Sequence, residues 1–178
     1  MISRADYLEL ERDGSVRHEW VAGQIYAMTG ESGRHNRISG RLYASLLAAA
    51  ERDGCRPYIA DMKVVTETRG YYPDVMVVCN AAVPGDHHEE APCLIAEVLS
   101  PSTQDRDRRE KRAAYQAMPS LRHLLLIRQD DTQLEHFFRE DDGSWNMLQL
   151  GPDDVIVLHC PEVTVPVDDL YRGLELGV

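Results

Sequence analysis

A chain of 178 residues with 43% hydrophobic and 28% charged side chains has the make-up of an ordinary soluble globular domain, with enough length for a sizeable core. Its net charge of −11 argues against broad, non-specific binding of nucleic acid, which needs surplus Lys and Arg, although a locally basic groove remains compatible with it. No apolar run approaches the length of a membrane span, and MISRADYLEL lacks the basic start and apolar centre of a signal peptide, so a cytoplasmic protein without membrane association is expected.

Ser3 precedes an acidic amphipathic segment that reads as a short helix to about Asp13. VRHEWV and QIYAM alternate around Ala22-Gly23 and predict a hairpin. Ser32 is placed to cap a long helix through RHNRISGRLYASLLAAAERD, whose Ile38, Leu42, Leu46 and Ala49 form one apolar stripe, and Gly54 supplies its stop. RPYIA, KVVTE, YPDVMVV and CLIAEVL follow as strands. The segment from Ser102 to Met118 predicts a second helix ended by Pro119, with Ser102 and Asp105 at capping-box spacing. HLLLIR, LEHFFRE, SWNMLQL and VIVLH read as further strands. With no repeat, low-complexity stretch or obvious linker, residues 1–178 read as a single domain. The mixed order predicts an α/β or α+β core with a mixed sheet rather than a βαβ repeat. Cys55, Cys79, Cys93 and Cys160 are far apart and form no CxxC pair, so reduced core thiols are expected rather than a zinc site or disulfide framework.

Two acids interrupt apolar strands. Asp74 follows Pro73 in YPDVMVV and by alternation shares a face with Tyr72, Met76 and Val78; Glu97 in CLIAEVL shares one with Cys93, Ile95 and Leu99. Buried carboxylates brought together repel unless a cation lies between them. Oxygen donors favour a hard ion, Mg²⁺ or Mn²⁺. The plainer role for either acid alone is a water-facing strand end. On the second helix Lys111, Ala114, Tyr115 and Met118 occupy one stripe, which turns Lys111 toward the sheet and toward such a site. A lysine snorkelling at the helix edge is the plainer reading, and packing is the commoner role for Tyr115. Arg106, Arg108, Arg109 and Arg112 surround Lys111 among acids, the pattern of a solvated face that can also touch phosphates. Glu19 in VRHEWV shares a face with Arg17 and Val21. It is either a third acid of the site or an exposed strand acid. His35 at the start of the long helix either faces the same cleft or stays in solvent. His87 and His88 in GDHHEE could attract zinc or manganese, but the Pro- and Gly-punctuated setting reads as a solvated loop. Nucleotide, dinucleotide and serine-hydrolase motifs are missing.

HEWVAGQIYAM, YYPDVMVVC, LIAEVLSPST and DRREKRAAY together resemble the Uma-type family of restriction-endonuclease-like proteins, within the PD-(D/E)xK nuclease superfamily. The resemblance runs from the opening helix to the closing PVDDLYRGLE. It implies a mixed sheet flanked by helices with a divalent-metal site at one sheet edge. By the same resemblance Asp74 and Glu97 look like metal-binding acids, Glu19 like the additional acid, and Lys111 like the active-site lysine. Leu99 stands where the basic residue of the simplest motif would be, so Lys111, one helix later, resembles a migrated lysine; Lys63 is the rival, with an exposed strand lysine its plainer role. The implied activity is Mg²⁺- or Mn²⁺-dependent endonucleolytic hydrolysis of DNA, with the Val98 carbonyl as a further ligand. A homodimer would match the symmetry of a palindromic site. The competing expectation is a catalytically inactive binding module on the same fold, favoured by the acidic charge and by Leu99.

Overall fold

The computed structural model describes residues 1–14, 16–28, 30–80, 87–100 and 107–175. In chain order the elements are α1 (Arg4–Asp13), β1 (His18–Val21), β2 (Gln24–Ala27), α2 (Gly33–Arg52), β3 (Arg56–Ile59), β4 (Lys63–Val65), β5 (Arg69–Tyr71), β6 (Val75–Val78), β7 (His88–Glu89) and β8 (Leu94–Leu99). A π-helical turn (Asp107–Lys111) then runs into α3 (Arg112–Gln116), followed by β9 (His123–Arg128), β10 (Leu134–Arg139), β11 (Trp145–Leu150), β12 (Val155–His159), β13 (Glu162–Pro166) and α4 (Val167–Tyr171).

Apolar side chains on both faces make LIAEVL fit for the middle of a covered sheet, and β8 lies there. The central sheet has the order β11-β10-β9-β8-β6-β3; β8 and β9 run parallel and every other pair is antiparallel. A parallel pair needs a crossover, and α3 lies in that connection. On one face Leu94, Ala96 and Val98 pack with Ile38, Leu42 and Leu46 of α2 and with Leu170 of α4. Ile95 and Leu99 pack on the other with Tyr71, Tyr115 and Met118. Alternation therefore turns Glu97 toward α3. A second sheet, β2-β1-β5-β4-β7, brings the β1–β2 hairpin alongside, and β12 and β13 form a separate hairpin.

Local chemistry explains the ends of these elements. Ser3 makes a full capping box with Asp6, and Ser32 accepts from the His35 N–H. The turn between β1 and β2 puts Ala22 and Gly23 at φ 48° and 86°, the pair of positive angles that a tight hairpin requires. At Gly70 any Cβ would meet the buried ring of Tyr7, with Cζ at 2.9 Å, so glycine is what lets α1 lie on β5.

The structure departs from expectation at several places. YPDVMVV is not one strand: Pro73 cannot donate to a ladder, the chain leaves the second sheet after Tyr71 and enters the central sheet at Val75, and Asp74 stands at the sheet's end. The capping box at Ser102 and Asp105 lies outside the described residues. β7, β13 and α4 are additional short elements, too brief for periodicity to reveal. Cys93 packs on the α2 side rather than with Ile95 and Leu99, because it precedes the strand's alternation. The cysteines are not reduced thiols: Cys55 joins Cys79 and Cys93 joins Cys160. Spacing along the chain carries no record of which strand ends become neighbours. No helix among the described residues is long and apolar enough to cross a membrane.

Candidate active site

Glu97 is 3% exposed, and the crossover helix reaches it with two side chains. The Tyr115 hydroxyl donates to its Oε1 at 2.6 Å, and Lys111 Nζ lies 3.3 Å from each of its oxygens. The same Nζ sits 2.8 Å from Oε1 of Glu19, which β1 brings in from the second sheet. Lys111 is 5% exposed and ends the π-helical turn; with Tyr115 one turn later it occupies the buried stripe of the crossover helix. Single π turns inside helices are common at functional sites because they re-aim a side chain. A lysine buried to this degree needs such carboxylates.

On the α2 side of the same strand end, the Asp74 Oδ2 accepts from the Val98 N–H at 2.7 Å and lies 3.1 Å from His35 Nε2. The Val98 backbone also favours the charged form of the His35 ring. Burial works to discharge this imidazole, but the hydrogen bond and charge of Asp74, with Glu31 and Val98, outweigh it and hold the ring above its ordinary pKa of 6.5. Asp74 and the backbone beside Glu97 thus already surround a protonatable group.

The family model described as "Uma2: Putative restriction endonuclease" matches residues 4–168. The chain belongs to the Uma2 family. It is similar to two uncharacterized proteins of Synechocystis sp.: slr1290, at 35% identity over 97% of this chain and 93% of that one, and sll1609, at 32% identity over 84% and 88%. Among solved structures it resembles one described as "a putative nuclease belonging to DUF820" from Anabaena variabilis, with a TM-score of 0.77 and 16% identity over 96% of this chain and 98% of that one. At that identity the likeness speaks for the fold: a mixed sheet flanked by helices, as in restriction-endonuclease-like proteins.

Within this Uma2 chain, Glu19 and Glu97 meet at Lys111, and Asp74 contacts the residue after Glu97. The oxygen donors that could hold a divalent ion are the Asp74 and Glu97 carboxylates and the Val98 carbonyl. This hard-donor set suits Mg²⁺ or Mn²⁺. The oxygens of Asp74, Glu97 and Glu19 are not gathered within 4.8 Å of one another, since Lys111 stands between two of them. Glu19 is therefore held through the lysine in this arrangement.

Some side chains behave differently from their plainer sequence readings. Tyr115 does more than pack, because its hydroxyl orients Glu97. His35 is buried; its spacing to Ile38 and Leu42 puts it on the apolar stripe of α2, a signal already present in the sequence. Lys63 is 4% exposed, not a solvent lysine. Its Nζ lies 5.6 Å from the Tyr72 ring, and burial pulls its pKa down against the opposing charge of Glu11. Lys111, not Lys63, contacts Glu97. In GDHHEE, residues 85 and 86 lie outside the described residues, whereas His88 and Glu89 form β7 rather than a loop, and Glu89 is buried against Tyr58 and Arg56. Arg106 and the side chain of Arg108 also lie outside; Arg109 is exposed, and Arg112 covers the Phe137 ring at 5.3 Å.

Proposed function

We propose that this Uma2 protein is a divalent-metal-dependent endonuclease that hydrolyses DNA phosphodiester bonds, with Asp74, Glu97, Lys111 and Glu19 as its site. The observation that carries the reading is the contact of Lys111 with Glu97: a lysine from the crossover helix reaches the acid that the strand's own Leu99 cannot serve. Asp74, Glu97 and the Val98 carbonyl would hold an ion of the Mg²⁺ or Mn²⁺ class, which would lower the pKa of a bound water and polarise the phosphodiester. Tyr115 fixes the rotamer of Glu97, and Glu19 fixes the ammonium of Lys111. Lys111 then presents its N–H donors to the attacking water and to the charge that grows on the phosphoryl oxygens. His35 holds Asp74 in register with Val98 and is placed to exchange a proton there. In the net reaction water gives hydroxyl to phosphorus, one P–O bond breaks, and the leaving oxygen receives the remaining proton. The same reading carries a cytoplasmic setting and a homodimer, since two-fold symmetry suits cutting both strands of a duplex.

A second reading, a catalytically inactive nuclease-fold binding module, draws on the acidic net charge and on the ion pairs that already hold Lys111 between two carboxylates. Nicking of supercoiled plasmid with Mg²⁺ or Mn²⁺ separates the two. Metal-dependent nicking lost in Asp74→Asn and Lys111→Ala is expected for the enzyme. No nicking by well-folded wild-type protein under either metal would leave the binding module.

A further inference from the structure

Cys55, Cys79, Cys93 and Cys160 belong to none of this chemistry, yet four separate chain segments deliver them to one place. Cys55 enters β3, Cys79 follows β6, Cys93 precedes β8, and Cys160 lies in the turn between β12 and β13. Antiparallel pairing sets Arg56 opposite Val78 and Val77 opposite Leu94, so the first three cysteines gather at one end of three adjacent strands. The sulfurs are joined as Cys55–Cys79 and Cys93–Cys160. The two pairs also touch each other: Cys79 Sγ lies 3.1 Å from Cys160 Sγ and 3.4 Å from Cys93 Sγ. The sulfurs of Cys79, Cys93 and Cys160 all fall within 4.8 Å of one another, and that of Cys55 is bonded to Cys79.

A cross-link needs its own partner and nothing more. Here the two cross-links instead bring three sulfurs, those of Cys79, Cys93 and Cys160, within mutual reach, with the fourth, Cys55, bonded to one of them. Four sulfurs about 2.3 Å from a zinc ion stand about 3.8 Å apart, and Cys79 stands 3.1 and 3.4 Å from Cys160 and Cys93 here, with small shifts on reduction left to bring Cys55 in. The histidines nearby are already engaged: His123 Nε2 accepts from the His159 N–H at 3.1 Å, and its Nδ1 lies 3.0 Å from His136 Nε2. Cys55 and Cys93 are buried, Cys160 is half-buried and Cys79 is exposed, so the cluster is shielded yet has an entry path.

We propose that Cys55, Cys79, Cys93 and Cys160 form a tetrathiolate site for one Zn²⁺-class ion, and that the two disulfides are its oxidised form. Two equivalents of a dithiol reductant convert the oxidised form: each pair gains two electrons and two protons while one dithiol closes to its own disulfide. Binding Zn²⁺ then releases the four thiol protons. The ion ties the β12–β13 turn to the ends of β3, β6 and β8, opposite the ends that carry Asp74 and Glu97, and is structural rather than catalytic.

The test is metal content by elemental analysis and native mass spectrometry on full-length protein purified under reductant, with Co²⁺ substitution as an optical readout. One zinc per chain, a thiolate-to-cobalt charge-transfer band with the visible bands of a tetrahedral site, and loss of both in Cys79→Ser and Cys160→Ser are expected, while Asp74→Asn keeps its full complement. Reduced wild-type protein that takes up neither Zn²⁺ nor Co²⁺ overturns the proposal. So does metal uptake that both serine variants leave unchanged. The cobalt spectrum of the wild type decides by itself if the serine variants fail to fold.

Discussion

Glu89 and Glu97 present nearly the same local chemistry in two regions of the molecule. Each is buried in a strand, each accepts a tyrosine hydroxyl at 2.6 Å, from Tyr58 and Tyr115, and each faces a cation at 3.3–3.4 Å, Arg56 or Lys111. The difference lies in how the cation is shared. Arg56 pairs with Glu89 and spends its other donors on Asn80 and on the Tyr58 hydroxyl, so that cluster closes on itself. Lys111 is divided between Glu97 and Glu19, and Asp74 lies beside the next backbone amide. A buried carboxylate held by tyrosine and a cation is thus a device for joining strands. What distinguishes a candidate site is convergence of further acids on the same cation.

The largest expected effect is on activity. Asp74→Asn and Glu97→Gln should each lower metal-dependent plasmid nicking at least about 100-fold, ~2.7 kcal/mol of transition-state stabilisation. Glu89→Gln should leave it unchanged, and a comparable loss there would erase the distinction. Next comes stability. Removing Lys111 takes the shared ammonium away from two buried carboxylates, so Lys111→Ala should cost about 3–5 kcal/mol in urea unfolding. Arg56→Ala, which leaves Glu89 its tyrosine partner, should cost about 1–3 kcal/mol; equal costs would mean that sharing the cation has no energetic consequence.

Metal titration sharpens the contrast further. Saturating Mn²⁺ at about 100 times its Kd should stabilise the wild type and Glu89→Gln by ~2.7 kcal/mol, and should not stabilise Asp74→Asn, as read by thermal melts. The smallest effect concerns histidine. Burial, with the charges of His136 and His159 on His123 and of His159 on His136, pushes His123 down to about 3 and His136 to about 4, so both fold neutral. The unfolded chain takes up protons that the folded one refuses, and stability should be full above pH 6.5 and fall as pH drops toward those values. His35 has the opposite sign. Its raised pKa gives stability that is complete below pH 6.5 and lost as pH rises through the folded value. The advantage of wild type over His35→Gln in urea titrations should therefore shrink from pH 6 to pH 8; a constant difference would separate His35 from the charge of Asp74.

Much of this was legible in the residues because it depends on neighbours along the chain. The Ser32 cap, the stripe from Ile38 to Leu46, the Ala22-Gly23 turn and the inward aim of Lys111 each follow from spacing of four residues or fewer. Asp74 was legible as an exceptional acid at the start of a strand, but its place on the α2 side against His35, rather than with Met76 and Val78, was not, since Pro73 ends one sheet and leads into another.

By itself, then, the sequence determined the longer elements, most of their buried faces and the family, because helix and strand periods are written in local order. Only the tertiary structure decided who meets whom. It brought Glu19 to Lys111 across 92 residues of chain (111 − 19), set His35 against Asp74, buried Lys63, and gathered four cysteines at one end of the sheet. Periodicity tells a side chain which face to take; strand order and register tell it which partner it finds there, and those are settled by packing of the whole core.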